Sequence, residues 1–139
     1  MPTLNESFAV PDADHAWSVV SDLNKLVPCV PGAKVTSADS PSKVKAEIDV
    51  KMGSMAMKFS GPVEITEQDD GSKRAVIKAQ TREAGGQSNA DGTVTIDVGS
   101  GTLEAVANVS GKVSSMGEGT VEAVLQQLVK QFTANLAKA

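Results

Sequence analysis

Few residues of this chain could take part in metal binding or nucleophilic catalysis. The sequence has one histidine, His15, and one cysteine, Cys29. A single histidine argues against a histidine-rich metal site or a Ser-His-Asp triad, and a single cysteine excludes an intrachain disulfide and a cysteine-based zinc site. Cys29 lies between two prolines without an adjacent basic residue. We therefore expect it to act as a small inert hydrophobe, and we expect His15 to be exposed on a helix.

Carboxylates are more numerous than histidine or cysteine, but their spacing along the predicted strands places them on the face that points away from the protein interior. General acid–base catalysis needs a titratable group held in a pocket. In the alternating segments of the sequence every inward position is apolar or glycine, and the following carboxylates face outward: Glu47, Asp49, Asp91, Asp97 and Glu104. A register shift of one residue would turn Asp97 or Glu104 inward. An enzyme is therefore the alternative hypothesis.

Residues suited to holding an apolar molecule are concentrated around one predicted hairpin. Met52, Met55 and Met57 lie there, with Phe59 beside them. Methionine fills irregular gaps in a core and also forms adaptable walls for flexible ligands. A set of alanines faces the same side: Ala46, Ala75, Ala79, Ala105 and Ala107. They either let a helix approach the sheet closely or leave a cavity, which would imply an occupant because ordinary cores are close-packed.

Length and composition predict one globular domain over residues 1–139. Hydrophobic residues are 40% and charged residues 22% of the chain, which is the globular range. The net charge of −4 argues against a nucleic-acid-binding protein, because such a surface would be basic. No apolar run approaches the roughly 20 residues that span a bilayer, and the N-terminus lacks a signal-peptide pattern. We expect a cytoplasmic protein.

The first third of the chain predicts one strand and two short helices. A strand is expected over Leu4–Val10, followed by a helix with Asp12 as its N-cap. A second short helix is expected over Asp22–Val27, ended by Pro28 and Pro31.

Period-two alternation then predicts about six consecutive antiparallel strands, clearest over Lys43–Met52. Gly61-Pro62 predicts a bulge, a bend or an edge position within its strand. Lys43, Lys45 and Lys51 share one strand face, which is typical of a solvated surface but could also dock an acidic partner or lipid headgroups. Tight turns are expected at the following sites: Gly53-Ser54, Asp70-Gly71, Gly85-Gly86 and Gly99-Ser100-Gly101.

A helical period returns near the end of the chain. Ser115-Met116-Gly117-Glu118 has the spacing of a capping box, and an apolar stripe follows: Val121, Val124, Leu125, Leu128, Val129, Phe132 and Leu136. This pattern predicts one amphipathic helix of about 20 residues. An antiparallel sheet with one apolar face must be covered, and this helix is long enough to cover it. We predict an α+β helix-grip fold: a curved antiparallel sheet of about seven strands around the C-terminal helix, with two short helices after the first strand.

Several short segments, in this order and spacing, resemble a known family. The most specific is Pro28-Cys29-Val30-Pro31-Gly32-Ala33, and the others are Phe8-Ala9-Val10-Pro11, Ala16-Trp17, Asp22-Leu23, Val50-Lys51-Met52-Gly53, Phe59-Ser60-Gly61-Pro62-Val63, Gly99-Ser100-Gly101-Thr102-Leu103, Val109-Ser110-Gly111-Lys112 and Gln131-Phe132. Together they make the chain similar to the G-subunit family of carbon monoxide dehydrogenase, within the START, birch-pollen-allergen-like (SRPBCC) superfamily. That superfamily is known for binding apolar ligands.

The resemblance implies an accessory protein of an aerobic molybdenum carbon monoxide dehydrogenase. It implies a link between that enzyme and the membrane quinone pool, with menaquinone or ubiquinone as the bound ligand and no covalent cofactor, metal or catalytic residue. Many members extend beyond the long helix into a tail suited to membrane attachment, whereas this sequence ends at Ala139. The resemblance implies a peripheral position at the inner face of the cell membrane.

The expected quinone site lies between the C-terminal helix and the sheet. Its predicted walls are Ile48, Val50, Met52, Met55, Met57, Phe59, Ile77, Val94, Ile96, Leu103, Ala107, Val124, Leu125, Leu128 and Phe132. Two alternatives stay open at this point. One is a polyketide cyclase-like or other small-molecule enzyme of the same superfamily. The other is a membrane-recruitment or assembly factor that binds no ligand.

Overall fold

The computed structural model describes residues 3–10, 12–52, 55–86, 88–111 and 118–138. Its strands are β1 (Thr3–Ser7), β2 (Ala33–Ser40), β3 (Lys43–Met52), β4 (Met55–Asp69), β5 (Arg74–Glu83), β6 (Ser88–Asp97) and β7 (Thr102–Gly111). Its helices are α1 (Ala13–Val20), α2 (Leu23–Leu26) and α3 (Glu118–Lys138), and a short 3-10 helix at Val27–Cys29 follows α2.

The seven strands form one antiparallel sheet in the order β1-β7-β6-β5-β4-β3-β2. From β2 to β7 each strand pairs with the next one along the chain, and β1 closes the series by pairing with β7. The helices α1, α2 and α3 pack on one face of the sheet, where α3 contacts β1 and β3. The predicted α+β helix-grip fold is confirmed.

The alternation that predicts the strands matches their burial. On β3 the side chains of Val44, Ala46 and Val50 are buried, whereas Lys43, Lys45 and Lys51 are exposed. The concave face of the sheet is therefore apolar and the convex face is polar. The register opposes Met52 to Met55 at the end of the β3–β4 pair. Gly53 and Ser54, predicted as the turn, lie outside the described residues, as does most of the predicted capping box at 115–118.

Two predicted boundaries differ from the structure, and one strand is not marked by the sequence pattern. The first strand ends at Ser7 rather than Val10, because Phe8 donates its backbone N–H to the carbonyl of Gly101 at 2.8 Å as the chain leaves the edge of the sheet. The predicted second helix is two elements, α2 and the 3-10 helix that follows it. The α-helix does not continue because Pro28 has no backbone N–H to donate to the next intrahelical hydrogen bond. Strand β2 does not stand out in the sequence pattern, because two register irregularities interrupt its alternation.

Gly61 and Pro62 lie in the middle of the sheet, on β4. Bridges to β5 are present at Ser60 and at Val63 but not at the two positions between them. A Cβ atom at position 61 would collide with the carbonyl oxygen of Gln80 on β5. Of the bulge, bend or edge position predicted for Gly61-Pro62, the edge position is wrong, because β4 lies between β5 and β3. The structure shows a close approach of two backbones, which glycine permits because it has no side chain.

The apolar core fills the space between the concave face and the helices. Val20, Leu23 and Ile96 are fully enclosed, and Leu136 of α3 is 2% exposed. Burying each such side chain contributes roughly 1.5–3 kcal/mol. A second, smaller group of apolar side chains consists of Val50, Met57, Phe59 and Val121. The core therefore joins both ends of α3 to the sheet.

Candidate functional site

A cavity of about 250 Å³ lies inside the concave face of the sheet. The sheet forms one wall of the cavity. Helix α3 forms the opposite wall with Leu128, Val129 and Phe132, and α2 and the residues that follow it form one end. The surface that these residues present to the cavity is apolar. Ordinary cores leave few voids larger than a water molecule. A space of this size is therefore a candidate site for an apolar ligand.

Eight of the fifteen predicted wall residues line this cavity. They come from five strands and from α3: Ile48, Phe59, Ile77, Val94, Ile96, Leu103, Leu128 and Phe132. The structure thus brings together residues 84 positions apart in the sequence, from Ile48 to Phe132. Their contact with a ligand stays a prediction.

The other predicted residues lie elsewhere. Val50 and Met57 belong to the second apolar group, against which Val124 and Leu125 pack. Ala107 is partly buried opposite Gly92 on β6 and does not line the cavity. Met52 and Met55 stand opposite each other at the ends of β3 and β4, and their side chains lie outside the described part of the structure. Of the three methionines of this hairpin, Met57 is therefore the one that the structure describes, and it lies in the second apolar group.

The small side chains of the sheet help to make the space. Ala46, Ala79 and Ala105 all line the cavity, whereas Ala75 is fully buried away from it. The cavity alternative therefore fits Ala46, Ala79 and Ala105, whereas Ala75 is enclosed in the core. Where α3 passes over Ala46, Ala79 and Ala105, the short side chains leave volume that a valine or leucine would fill.

Residues that precede the main run of strands are absent from the predicted site. Leu23, Leu26, Val27 and Val30 close one end of the cavity, and Ala33 adjoins them. The available signal is their apolar spacing just before Pro31. That spacing fits a helix packed against the core equally well, because sequence order gives no sign that α2 packs on β3 and β4 while the 3-10 helix after it contacts α3.

Two polar residues, Thr81 and Glu47, also line the cavity. Their polar atoms bind other groups of the protein. Thr81 donates its hydroxyl to the carbonyl of Ala90 at 2.6 Å. The carboxylate of Glu47 pairs with Lys34 at 3.1 Å. Both groups thus leave only carbon for the cavity surface, which accounts for its apolar character.

Four of the five carboxylates predicted to face outward lie on the convex side, whereas the fifth, Glu47, borders the cavity. Asp49, Asp91 and Glu104 are exposed, and Asp97 is half-buried with its Oδ1 accepting the backbone N–H of Ser100 at 3.1 Å. His15 is exposed at the start of α1 and borders a separate space of about 100 Å³ near Leu136. Except for Glu47, these groups stand apart from the cavity.

Cys29 is buried, and burial raises the pKa of its thiol. A raised pKa disfavours the thiolate, which is the reactive form. Its backbone carbonyl accepts a hydrogen bond from the side-chain amide of Asn135 at 2.8 Å, which ties α3 to the 3-10 helix. Among the described residues no group of His, Cys, Asp and Glu has the arrangement of a metal site.

An open groove of about 570 Å³ runs along the outside of α3. It lies between α3 and the stretch of chain that includes Pro31, Gly32 and the end of β3. Leu128 borders both this groove and the cavity, and Val50 and Val124 line the groove. The cavity and the groove therefore have one lining residue of α3, Leu128, in common. Within the described chain, no helix is both long and apolar enough to cross a membrane.

Comparison with known proteins gives one family match. The model of the carbon monoxide dehydrogenase G-subunit family (CoxG) matches residues 7–139. No functionally curated protein matches the sequence.

Solved structures share the fold at low sequence identity. A conserved protein from Geobacillus kaustophilus is 19% identical with a TM-score of 0.70, over 98% of this chain and 90% of that one. The ZhuI aromatase/cyclase from Streptomyces sp. R1128 is 11% identical with a TM-score of 0.59, over 99% and 90%. Ginseng major latex-like protein 151 from Panax ginseng is 10% identical with a TM-score of 0.59, over 96% and 94%. At these identities the likeness establishes the fold alone.

Proposed function

Since this chain belongs to the CoxG family of carbon monoxide dehydrogenase, we propose that it carries a respiratory quinone, menaquinone or ubiquinone, for an aerobic molybdenum carbon monoxide dehydrogenase. In this role it links the dehydrogenase to the quinone pool from a peripheral position at the inner face of the cell membrane. The redox chemistry belongs to the quinone and the dehydrogenase, and this protein supplies binding and orientation.

The apolar cavity beneath α3 is the observation that carries the proposal. Its volume is about 250 Å³, and an apolar cavity of about 150 Å³ in another protein is large enough to bind benzene. Each buried CH₂ of an isoprenoid chain contributes roughly 0.8 kcal/mol, from which the cost of ordering the ligand is subtracted. The cavity is thus suited to part of an isoprenoid chain, held firmly enough to leave the bilayer and loosely enough to be released.

The groove outside α3 offers space for the remainder of a long ligand. Leu128 borders both spaces, so the cavity and the groove adjoin at this residue of α3. Val50 and Val124 give the groove apolar walls. In this proposal the part of an isoprenoid chain that extends beyond the cavity lies along the groove.

A cyclase-like enzyme is the alternative, and it needs a polar group that faces bound substrate. The polar atoms of Thr81 and Glu47 are turned to other partners, and the wall is apolar. These features favour a carrier over an enzyme.

Solvent extraction of the purified protein tests the proposal directly. The protein is purified from a quinone-producing host, and its extract is analysed by mass spectrometry while native mass spectrometry gives the stoichiometry. We expect about one quinone per chain. An empty extract, together with failure to bind added ubiquinone-1, would overturn the proposal. Binding to the dehydrogenase that persists after complete lipid extraction would then favour the ligand-free recruitment factor.

A further inference from the structure

The apolar cavity offers no side-chain donor, among the described residues, to the oxygens of a quinone. A quinone ring carries two carbonyl oxygens that accept hydrogen bonds. At the cavity wall, the Thr81 hydroxyl donates to the carbonyl of Ala90 and the Glu47 carboxylate pairs with Lys34. A carbonyl oxygen that leaves water for a wall of carbon loses its hydrogen bonds, which is costly. The cavity therefore suits the isoprenoid chain, and the ring needs a place with donors.

The groove that adjoins the cavity has such donors on α3. Val124, Gln127, Leu128 and Gln131 recur at the spacing of one helix face, and all four line the groove. Gln127 and Gln131 are exposed, so a ligand in the groove can reach their side chains. Within the described chain, no hydrogen bond engages either side-chain amide. Helix α3 thus presents two available amides on the face that carries Leu128, the residue that cavity and groove share.

The other side of the groove is an open edge of β3. Strand β2 begins at Ala33, which stands opposite Ile48, and just before it Gly32 accepts the backbone N–H of Asp49 at 3.1 Å. Gly32 has a φ of +80°, and a Cβ atom there would lie 2.8 Å from the carbonyl oxygen of Asp49. Glycine therefore allows the chain to meet β3 at this point. Beyond Asp49 no described strand pairs with this edge of β3.

The open edge adds a backbone donor to the groove. Backbone N–H groups along a strand of an antiparallel sheet point alternately to its two sides. Since the N–H of Asp49 points to the side of β2, the N–H of Lys51 points the same way, away from its partner Ala56 on β4. Lys51 lines the groove, so this N–H faces it. The carboxylate of Asp49, which could repel a carbonyl oxygen, lies 3.9 Å from the ammonium of Lys58.

We propose that this groove is the subsite for the quinone ring. The backbone N–H of Lys51 and the side-chain amides of Gln127 and Gln131 donate hydrogen bonds to the oxygens of the ring. The isoprenoid chain runs from the ring along Val124 and past Leu128 into the cavity. This inference rests on the proposed function and deepens it. The ring is the part of the ligand that exchanges electrons, and in the groove it lies at the protein surface, within reach of a dehydrogenase.

Binding of ubiquinone-2 to the full chain tests the proposal. Affinities are measured by equilibrium dialysis for the wild type and for Gln127→Glu, Gln131→Glu and Gln126→Glu. An ionised carboxylate accepts hydrogen bonds but donates none. We therefore expect Gln127→Glu and Gln131→Glu each to weaken the binding of ubiquinone-2 roughly three- to tenfold, as for the loss of one hydrogen bond.

The chain offers a matched control beside the groove. Gln126 is exposed on α3 but does not line the groove, so Gln126→Glu adds the same charge and should bind ubiquinone-2 like the wild type. Myrcene, a hydrocarbon of two isoprene units, represents the chain without the ring. Its affinity should be equal in all four proteins.

NMR spectroscopy of the ¹⁵N-labelled full chain locates the ring independently. We expect ubiquinone-2 to shift the side-chain amide resonances of Gln127 and Gln131 and the backbone amide resonance of Lys51. Myrcene should leave the two side-chain resonances in place. The side-chain amide of Gln126 is the internal control and should not move with either compound.

The outcomes separate the two proposals. Unchanged affinity for ubiquinone-2 in both groove variants, or shifts confined to residues that line the cavity, would overturn the ring subsite and leave the carrier function standing. An equal loss of affinity in Gln126→Glu, or a loss shared by myrcene, would also overturn the subsite, because the effect would then not depend on the ring oxygens. Failure of the wild type to bind ubiquinone-2 would overturn both proposals.

Discussion

The side-chain amide of Asn135 donates a hydrogen bond to the carbonyl oxygen of Cys29 at 2.8 Å, although the two residues are 106 positions apart. Asn135 lies near the end of α3, and Cys29 ends the short 3-10 helix. Val27 and Val30 beside it line the cavity. This bond therefore holds the helix that covers the cavity against the segment that closes one end of it.

Loss of this hydrogen bond should loosen α3. We expect Asn135→Ala to lower the free energy of unfolding by roughly 1 kcal/mol, because the Cys29 carbonyl loses its side-chain donor. Urea unfolding followed by circular dichroism measures the change. Gln126→Ala is the control, since Gln126 is exposed on the same helix. Equal midpoints for the two variants would contradict the assigned role.

The reaction rate of the Cys29 thiol should show whether the hydrogen bond between Asn135 and the Cys29 carbonyl is intact. Burial raises its pKa, so the thiolate is scarce and the native protein should react slowly with a thiol reagent such as DTNB. We expect a much faster reaction in denaturing urea and an intermediate rate for Asn135→Ala. A native rate equal to that of the unfolded chain would show that the segment around Cys29 is open in solution.

A substitution that fills the cavity should weaken ligand binding without lowering the stability of the fold. Ala105 lines the cavity from β7, and Ala105→Leu places its extra carbons in that space. We expect the free energy of unfolding to rise by about 0.5–2 kcal/mol, as for other cavity-filling changes. Affinity for ubiquinone-1 should fall by roughly tenfold or more, a loss of about 1.4 kcal/mol of binding energy.

Ala134→Leu is the control for this change, because Ala134 is exposed on α3. It should leave the affinity unchanged. Unaltered binding by a folded Ala105→Leu protein would place the ligand outside the cavity.

The contact between α1 and the β4–β5 turn should depend on pH. Trp17 donates its indole N–H to Oδ1 of Asp70 at 2.9 Å. The hydrogen bonds from Gln68 and Trp17, together with the charge of Lys73, lower the pKa of Asp70 below its ordinary value of 3.8. A carboxyl whose pKa is depressed by folding adds stability at pH above the unfolded value, and this stability is lost as the pH falls through the folded value.

Fluorescence can follow this contact, because Trp17 is the sole tryptophan and the chain has no tyrosine. We expect the Trp17 emission to titrate at a pH below 3.8 in the wild type. Asp70→Asn should abolish this titration, whereas Asp91→Asn, which changes an exposed carboxylate on β6, should keep it. The same titration in all three proteins would show that Asp70 does not determine it.

Two glycines should respond in opposite directions to alanine. At Gly61 a Cβ atom would collide with the carbonyl oxygen of Gln80, so Gly61→Ala should destabilise the protein by at least about 2 kcal/mol. At Gly119 on α3 nothing among the described residues lies within 4 Å of the added atom. Gly119→Ala should therefore stabilise the protein by roughly 0.5–1 kcal/mol, because alanine restricts the unfolded chain and favours helix. Thermal unfolding of both variants measures the two shifts, and shifts of the same sign would contradict the backbone geometry given for Gly61.

Much of the architecture could be predicted from local pattern. Strict alternation on β3 and the apolar stripe from Val121 to Leu136 define two faces that must meet, and a sheet with one apolar face needs a covering helix. The pattern is weaker where irregularities break the period. Strand β2 contains two such irregularities, and for that reason its alternation does not identify it as a strand.

The sequence by itself determined which side chains face the interior, because strand and helix periods fix the face of each residue. Only the tertiary structure decided which inward residues border an empty space. That outcome depends on how closely α3 and α2 approach the sheet, and therefore on contacts such as that of Asn135 with Cys29. The positions of these helices leave empty volume beside Ala46, Ala79 and Ala105, whereas Ala75 is fully buried.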